Sequence, residues 1–432
     1  MYIAVDDTDS RSSMCTTFLL TEIIERTGLD IIGLPSLVRL NPAIPYKTRG
    51  NGALSVRLGR GIGKSRRIGK FGNRDIKAFE SMDEVMEPDE LLDLAENIVR
   101  DLAVLDDENT NPGIVVSRTK LDEWFYWQAV RDVLDISTAE EFLLKRQCLF
   151  RKIKSGRGII GAAAALSWPA SRRTFELIAY KYPHGEQIQH GTKMDLARQA
   201  DLIPGTFNNV DLENGYPAIF PRERTPVIFG IRGRDPEALL TTGIDTVNSW
   251  GLGQDRILMY QSNQATDDHI IHDAAFLEEM HSYRIECHVT SMPEVRTGSH
   301  YFVVARWAGQ EIRLAAFEPT KQFRKVVDSL RPGDDVVAYG SYQNGVLNLE
   351  KLEIISLASV FKRTAPACPS CGRRMKSYGR MDFRCHYCGT RSGMPAYTKL
   401  QREVSVGLYD VPVMARRHLT RPFRMAREGG KE

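Results

Sequence analysis

Residues 2–27 read YIAVDDTDSRSSMCTTFLLTEIIERT. Tyr2 to Val5 predicts a short strand, and Met14 to Thr27 carries the apolar spacing of a helix. Between them Asp6, Asp7 and Asp9 crowd into one strand-to-helix turn. Three carboxylates so close repel one another, and a divalent cation relieves them; Mg²⁺ carried on nucleotide phosphates is the commonest such ion. The competing reading is a solvated acidic turn at a helix start, where carboxylates suit the positive end of the dipole. The spacing alone leaves both open.

Outward from this turn, strand and helix signals alternate. Leu29 to Leu40, Ala53 to Leu58 and Ile114 to Ser117 read as strands, and Asp89 to Leu105 as a helix. Asn41 to Gly52 is a long connection, and such connections are usually functional or mobile. From Trp124 to Gln264 two βαβ-like passages follow. One runs through Thr138–Gln147, Arg151–Lys154, Ile159–Ser167 and Thr174–Tyr182. The other runs through Val227–Ile231, Pro236–Val247 and Arg256–Gln261. They fit a ferredoxin-like domain that is free to share a sheet with the first. Ser282 to Leu357 turns all-β. Five strands, with one helix between the third and fourth, match the order of an OB-fold barrel, a class that binds single strands or oligosaccharides. The expected class is therefore an α+β multidomain protein: residues 1–130, a ferredoxin-like domain over 131–275, an OB fold over 276–360, a zinc ribbon over 361–395 and a basic tail over 396–432.

The composition is that of a globular protein, with 42% hydrophobic and 26% charged residues in 432. No run of about 18 apolar residues predicts a membrane span, and no signal peptide precedes the first strand. A cytoplasmic protein is expected. The net charge of +3 names no partner, but its distribution is uneven. The stretches Arg60–Lys77 and Val413–Arg427 are both strongly basic, which suits phosphate contact or a solvated face.

Four of the seven cysteines form Cys368-Pro-Ser-Cys371 and Cys385-His-Tyr-Cys388. Two such knuckles supply four thiolates for a closed, structural Zn²⁺ site, and Gly372 and Gly389 allow the tight turns the knuckles need. Arg363, Arg373 and Arg374 surround this unit, and with Arg416, Arg417, Arg421 and Arg424 of the tail they are candidate RNA contacts. The loop Lys47-Thr48-Arg49-Gly50-Asn51-Gly52 mixes cations, small residues and amides in a way that can wrap phosphate. Gly156-Arg157-Gly158-Ile159-Ile160-Gly161 spells a glycine-rich helix start. It lacks a good preceding strand, so close helix packing, or an anion at the helix start, is expected rather than dinucleotide binding. Trp124-Phe125-Tyr126-Trp127 reads chiefly as core. No Ser-His-Asp or Cys-His constellation can be argued from the sequence.

Taken together, these residues resemble the archaeal agmatinylcytidine synthetase family, which modifies isoleucine tRNA. The resemblance rests on Asp6 to Ser10 with Met14 to Thr17, Lys47 to Asn51, Phe125 to Trp127, Gly156 to Ala162, Gly215 to Pro226, Arg232-Gly233 and Gln261 to His269. It implies an ATP-binding, kinase-like catalytic domain over residues 1–130. It also implies a ligase that phosphorylates the carbon-2 oxygen of the wobble cytidine in a CAU anticodon and then replaces it with agmatine, while ATP ends as AMP and two phosphates. On that resemblance Asp6, Asp7 and Asp9 hold Mg²⁺ and Thr16 is the threonine that becomes phosphorylated. Lys47, Arg49, Gly50 and Asn51, with Gly158 and Gly161, lie at the nucleotide. ATP, Mg²⁺, Zn²⁺, agmatine and the tRNA are the expected cofactors and partners. The alternatives are a single-strand-binding OB and zinc-ribbon protein without ligase activity, or an RNA ligase using another amine.

Overall fold

The computed structural model describes residues 1–428 apart from 12, 47, 49 and 223. The chain divides into two compact units, one of residues 1–284, 339–345 and 410–432, the other of 285–338 and 346–409.

The first unit begins β1 (Tyr2–Asp6), α1 (Thr16–Thr27), β2 (Asp30–Ile32), β3 (Ser36–Arg39), β4 (Gly52–Phe71), β5 (Arg74–Asp83) and α2 (Pro88–Leu102). It continues through β6 (Gly113–Ser117), α3 (Glu123–Arg131), α4 (Ile136–Lys145), β7 (Leu149–Lys152), α5 (Gly158–Ser167), β8 (Thr174–Tyr180) and α6 (His190–Asp201). Then come β9 (Val227–Gly233), a helical passage over 236–249 with a π turn in its middle, β10 (Arg256–Ser262) and the short β11 (Ile270–Ile271). Strands β1 to β10 form one sheet, ordered β7-β6-β1-β4-β3-β10-β8-β9 with β2 and β5 beside β4. The sheet-sharing left open by the sequence is therefore real: β10 pairs parallel with β3 and antiparallel with β4.

Strand alternation sends successive β1 side chains to opposite faces. Ile3 and Val5 join Phe18, Leu19, Ile23, Leu91, Leu92 and Ile98 of α1 and α2 in one core. Ala4 joins Phe125, Tyr126, Phe142 and the alanines of α5 in the other. Each large apolar side chain so buried contributes about 1.5–3 kcal/mol. The aromatic run of α3 is thus mostly core: Phe125 and Tyr126 are fully buried, while Trp124 is 46% exposed.

Several elements differ from expectation. The strand read over Leu29–Leu40 is two strands, broken where Gly33 takes φ +69°. Helix α1 starts at Thr16, because Cys15 is extended. Strand β4 runs for 20 residues, carrying the basic stretch as a ribbon paired with β5. Helix α6 has no counterpart in the sequence reading.

The all-β region comprises β12 (His281–Val289), β13 (Glu294–Arg296), β14 (His300–Trp307), β15 (Gln310–Ala316), β16 (Asp335–Gln343) and β17 (Val346–Ser356). The order β12-β16-β17-β15-β14, with β14 also bonded to β12, closes a five-strand barrel. Strands β15 and β17 pair in parallel, and the helix Phe323–Asp328 lies between β15 and β16. A buried ion pair supports the second unit: Asp334 accepts from Arg402 at 2.8 and 2.7 Å, and from the amides of Arg331 and Ala358. Beyond the barrel, Lys376–Ser377, Phe383–Arg384 and Arg391–Ser392 form a small three-stranded sheet around the four cysteines. The stretch read as a basic tail carries the strand Ala396–Lys399. It then continues into the first unit as a strap, 410–425, with Val411, Leu419, Thr420 and Met425 buried.

Candidate active site

Strand β1, flanked by β6 and β4, ends at Asp6, and the chain then turns with Asp7 at φ +56°, a left-handed conformation that aspartate tolerates better than most residues. The turn is pinned from outside. Asn111 N donates to the Asp7 carbonyl at 3.1 Å, Thr110 Oγ1 to the Asp9 carbonyl at 2.8 Å, and Ser10 Oγ to Asp107 at 2.9 Å. Asp9 Oδ1 accepts from both the backbone N and the hydroxyl of Thr16, at 2.5 and 2.9 Å, and so holds the start of α1. The dipole-capping reading of the acidic turn thus fits Asp9, and it leaves Asp6 and Asp7 unexplained.

Asp6 is buried beneath the first turn of α5. A methyl group at Gly161 would fall 1.8 Å from Asp6 Oδ2, and one at Gly158 would fall 2.4 Å from the Asp6 carbonyl. Those two glycines make room for the carboxylate and let the helix start press against β1 and β6, the close-packing role read for this motif. Burial, reinforced by the charges of Asp7 and Asp9, pushes the Asp6 carboxyl well above the ordinary range. Burial likewise pushes Asp7 up to about 7, against the pull of Arg157. Asp7 Oδ2 is buried with no hydrogen-bond partner. Hard-oxygen donors that are costly to ionise and incompletely bonded are what a divalent cation relieves, although among the described residues only the four ribbon cysteines, and not these three carboxylates, bring all their ligand atoms within 4.8 Å of one another.

Two cavities meet at this turn. The smaller, about 320 Å³, is lined by Asp6, Asp7, Arg157, Gly158 and Gly161, by the apolar side chains of Leu40, Ile44, Ala129 and Ile160, and by Asp132 and Asp135. Arg157 lies over the Tyr46 ring at 4.7 Å. The larger, about 560 Å³, is lined by Arg39, Glu176, Arg232, Gln264 and the strap residues Arg416 to Leu419. Asp9, Thr16, Leu40, Asn51 and Gly52 border both.

The expected phosphate loop is brought to this border in part. Asn51, at φ +46°, donates to the Asn41 carbonyl at 2.9 Å, and Gly50 lies against Arg39 and His418. Lys47 and Arg49 lie outside the described residues. The candidate RNA contacts separate into two groups. Arg363, Arg373 and Arg374 are exposed on the ribbon, with Arg373 stacked over Tyr387 at 3.9 Å. On the strap Arg424 is exposed, whereas Arg416 and Arg417 are half-buried at the larger cavity, and the Arg421 amide is held by Asp267.

The four ribbon cysteines converge as their spacing predicts. Their sulfurs lie within 4.8 Å of one another, with Cys368–Cys388 at 3.4 Å and Cys371–Cys385 at 3.5 Å. A tetrahedral zinc with bonds of about 2.3 Å sets sulfurs about 3.8 Å apart, so the set fits the ion. Gly372 and Gly389 take φ +72° and +77° in the two knuckles.

Of the residues that shape the cavities, Tyr46, Asp132 and Asp135 in one and Arg39 and His418 in the other were missed from sequence, while Arg157 and Arg232 entered only within motifs of the resemblance and Glu176 only as an acid that could follow the glycine-rich helix start. Glu176 was legible in principle. A carboxylate inside the apolar run Phe175–Tyr180 is rarely buried unless paired. Arg39 and Arg232 carry no local signal, because a strand terminus is an ordinary place for an arginine.

Three family models match in order: the TiaS TCKD domain over residues 2–155, the TiaS FLD domain over 156–269 and the TiaS C-terminal zinc ribbon domain over 365–404. TiaS of Thermoplasma volcanium, a 2-agmatinylcytidine synthetase of isoleucine tRNA, is 50% identical over 426 residues, covering 98% of this chain and 97% of that protein. The crystal structure of TiaS in complex with its isoleucine tRNA and ATP aligns with a TM-score of 0.83 at 38% identity, over 98% of this chain and 96% of that one. That of TiaS with the same tRNA, AMPCPP and agmatine aligns at 0.80 and 34%, over 100% and 98%. No described helix is long and apolar enough to cross a membrane. With three family domains matched in sequence and a relative half-identical along nearly its whole length, the chain belongs to the TiaS family.

Proposed function

We infer that this chain is the ATP-dependent ligase that converts the wobble cytidine of the CAU-anticodon isoleucine tRNA to 2-agmatinylcytidine, so that the tRNA reads AUA. The observation that carries the mechanism is the shared border: Asp9, Thr16 and Asn51 stand between an acidic, partly apolar cavity and a larger basic one.

ATP suits the smaller cavity. Its apolar walls match a purine, and its phosphates would then point toward the acidic turn and the start of α5. Asp6, Asp7 and Asp9 would hold Mg²⁺ there. That ion, when bound, neutralises charge on the phosphate oxygens during transfer. Arg157 adds a fixed positive charge on the same side. Asp9, already accepting the Thr16 hydroxyl, is placed to take that proton as Thr16 becomes phosphorylated.

The cytidine enters from the larger cavity. An anticodon base must be splayed out to be reached, and an OB-type barrel with a basic zinc ribbon suits an RNA of defined shape. Phosphorylation of the carbon-2 oxygen turns a poor leaving group into a good one. The agmatine amine then bonds to carbon-2, the carbon–oxygen bond breaks, phosphate departs and the amine loses a proton. The domain reading follows: a kinase-like catalytic part over residues 1–130, a ferredoxin-like part over 131–275 in the same sheet, an OB fold over 276–360 and a zinc ribbon over 361–395.

Nucleoside mass spectrometry on an isoleucine tRNA transcript, incubated with the protein, Mg²⁺-ATP and agmatine, tests this. An agmatine adduct on cytidine that requires ATP is expected. An unmodified transcript in the presence of folded, zinc-loaded protein would overturn the assignment.

A further inference from the structure

The larger cavity is cationic in a way that an amine substrate does not explain. Among the described residues lining it, Arg39, Arg222, Arg232, Arg416 and Arg417 face only two carboxylates, Asp9 and Glu176. Arg39 and Arg232 are largely enclosed, Arg416 is half-buried, and all three are locked in place. Glu176, 3% exposed, sits opposite Arg232 in the β8–β9 register, with Arg232 Nε 3.3 Å from one carboxylate oxygen and Arg39 Nη2 3.7 Å from the other. Arg39 Nη1 donates to the Gly50 carbonyl at 3.4 Å, and its guanidinium fills the space that methyl groups on Gly50 and Gly52 would occupy. Asn208, at φ +55°, accepts from Arg232 Nη1 through its backbone oxygen at 3.4 Å and from Arg416 Nη1 through its side chain at 2.5 Å.

Arg416 is balanced in part by Asp410 and Asp211, while one carboxylate between the two enclosed guanidiniums of Arg39 and Arg232 leaves positive charge out of water. That is costly until an anion arrives. The Nε atoms of Arg39, Arg232 and Arg416 make no aligned hydrogen bond, that of Arg232 sitting beside Glu176 as an ion pair only, so the protein does not saturate these forks by itself. Arginine forks match phosphate oxygens in pairs.

On the reading above ATP occupies the other cavity, where the acidic turn and the apolar walls lie, so this phosphate has another source. Agmatine, which carries cations at both ends, is repelled by this lining. RNA brings what is missing, since a nucleotide splayed into the cavity carries its phosphodiesters with it. We propose that Arg39, Arg232 and Arg416 form a receptor for a phosphodiester flanking the cytidine to be modified, with Glu176 as the positioning residue that holds Arg39 and Arg232 apart and in place. This rests on the ligase reading above. It adds that the base is presented to the transferred phosphoryl group by a grip on its own backbone, made partly by the strap.

The test is a cycle on the full chain. One partner is an anticodon stem-loop of the isoleucine tRNA carrying a single neutral methylphosphonate 5′ or 3′ of the wobble cytidine. The other is Arg232→Gln, with Arg416→Gln as the substitute should the first fail to fold. Each change alone is expected to weaken RNA binding about tenfold, as loss of one charged hydrogen bond does. For one of the two phosphates, the combination should cost no more than either change alone. Glu176→Gln is expected to raise KM for RNA several-fold and leave KM for ATP unmoved, a split that general loss of structure does not produce. Losses that multiply at both phosphates, or no loss at either, overturn the receptor while wild-type modification of native RNA keeps the ligase reading intact. Absence of wild-type modification overturns both.

Discussion

A single methyl group added at Gly161 is expected to disable the enzyme while leaving it folded. The new Cβ would stand 1.8 Å from Asp6 Oδ2 and 2.6 Å from its Cγ, whereas ordinary contact begins near about 3.5 Å. Something must therefore move by about 1.5 Å or more. Helix α5 is pressed between the sheet and helices α3 and α4, and shifting it costs about 1–3 kcal/mol, part of which the better helix propensity of alanine offsets. The cheaper response is for the Asp6 carboxylate to swing away from its seat. A displacement of about 1 Å at a reacting centre costs on the order of a hundredfold in rate, about 2.7 kcal/mol of barrier. Gly161→Ala should thus lose about a hundredfold or more in the initial rate of agmatine incorporation at saturating ATP. Its melting temperature should fall by only a few degrees, and its affinity for the tRNA should be unchanged. Gly191→Ala, where nothing lies within 4 Å, is the control and should be neutral or slightly stabilising. A Gly161→Ala enzyme within a few-fold of wild-type rate would refute the reasoning, because it would mean that the position of the Asp6 carboxylate does not matter to turnover.

Asp7→Asn keeps the shape of the turn and removes its charge; modification should cease while tRNA binding persists, and an active variant would remove the metal role. Thr16→Val removes the hydroxyl that Asp9 accepts; intact-mass spectra after incubation with Mg²⁺-ATP should then lack the phosphoryl group expected on the wild type, and a variant still phosphorylated would move the acceptor elsewhere. Cys385→Ser should abolish bound zinc by metal analysis, weaken tRNA binding and flatten its salt dependence; unchanged affinity would take the ribbon out of recognition. In the second unit, burial pushes the Asp334 carboxyl up, but the Arg402 fork and the amides of Arg331 and Ala358 outweigh it and hold it below the ordinary range. Its stabilising effect is therefore complete above about pH 4, the unfolded value, and is lost as pH falls through the lower folded one. Asp334→Asn should cost about 3 kcal/mol or more in denaturant melts near neutrality, with the difference from wild type shrinking in acid; a pH-independent difference would refute the ion-pair account.

The barrel was legible almost strand by strand, because its alternating β-branched segments are bounded by turns such as Asn344-Gly345 and Arg331-Pro332-Gly333, and all its pairings but one join neighbours in sequence or close to it. The cysteine knuckles were legible for a similar reason: spacing alone fixes the chemistry. The large sheet was not. The β3–β10 pairing that joins its halves spans more than two hundred residues, and nothing local announces such a partner. Strand β4 was read as six residues because its outer half, Arg60 to Arg67, is polar on both faces and lacks the alternation that marks burial. The acidic turn was readable as an oddity of charge, and the resemblance supplied its role. The walls of the two cavities were not, since Arg39, Asp132, Arg157 and Arg232 become a site only when the sheet and the strap bring them together.

The strap also imposes an order in time. The larger cavity is bordered by Asp9 near the start of the chain and by Arg416 to Leu419, which follow the zinc ribbon. At a synthesis rate of about 5–20 residues per second, the ~400 residues between them take on the order of 20–80 seconds to emerge. During that interval the larger cavity of the nascent chain lacks the wall that the strap supplies. A product cut short after the ribbon would keep the acidic turn and lack the cavity wall made by Arg416 to Leu419.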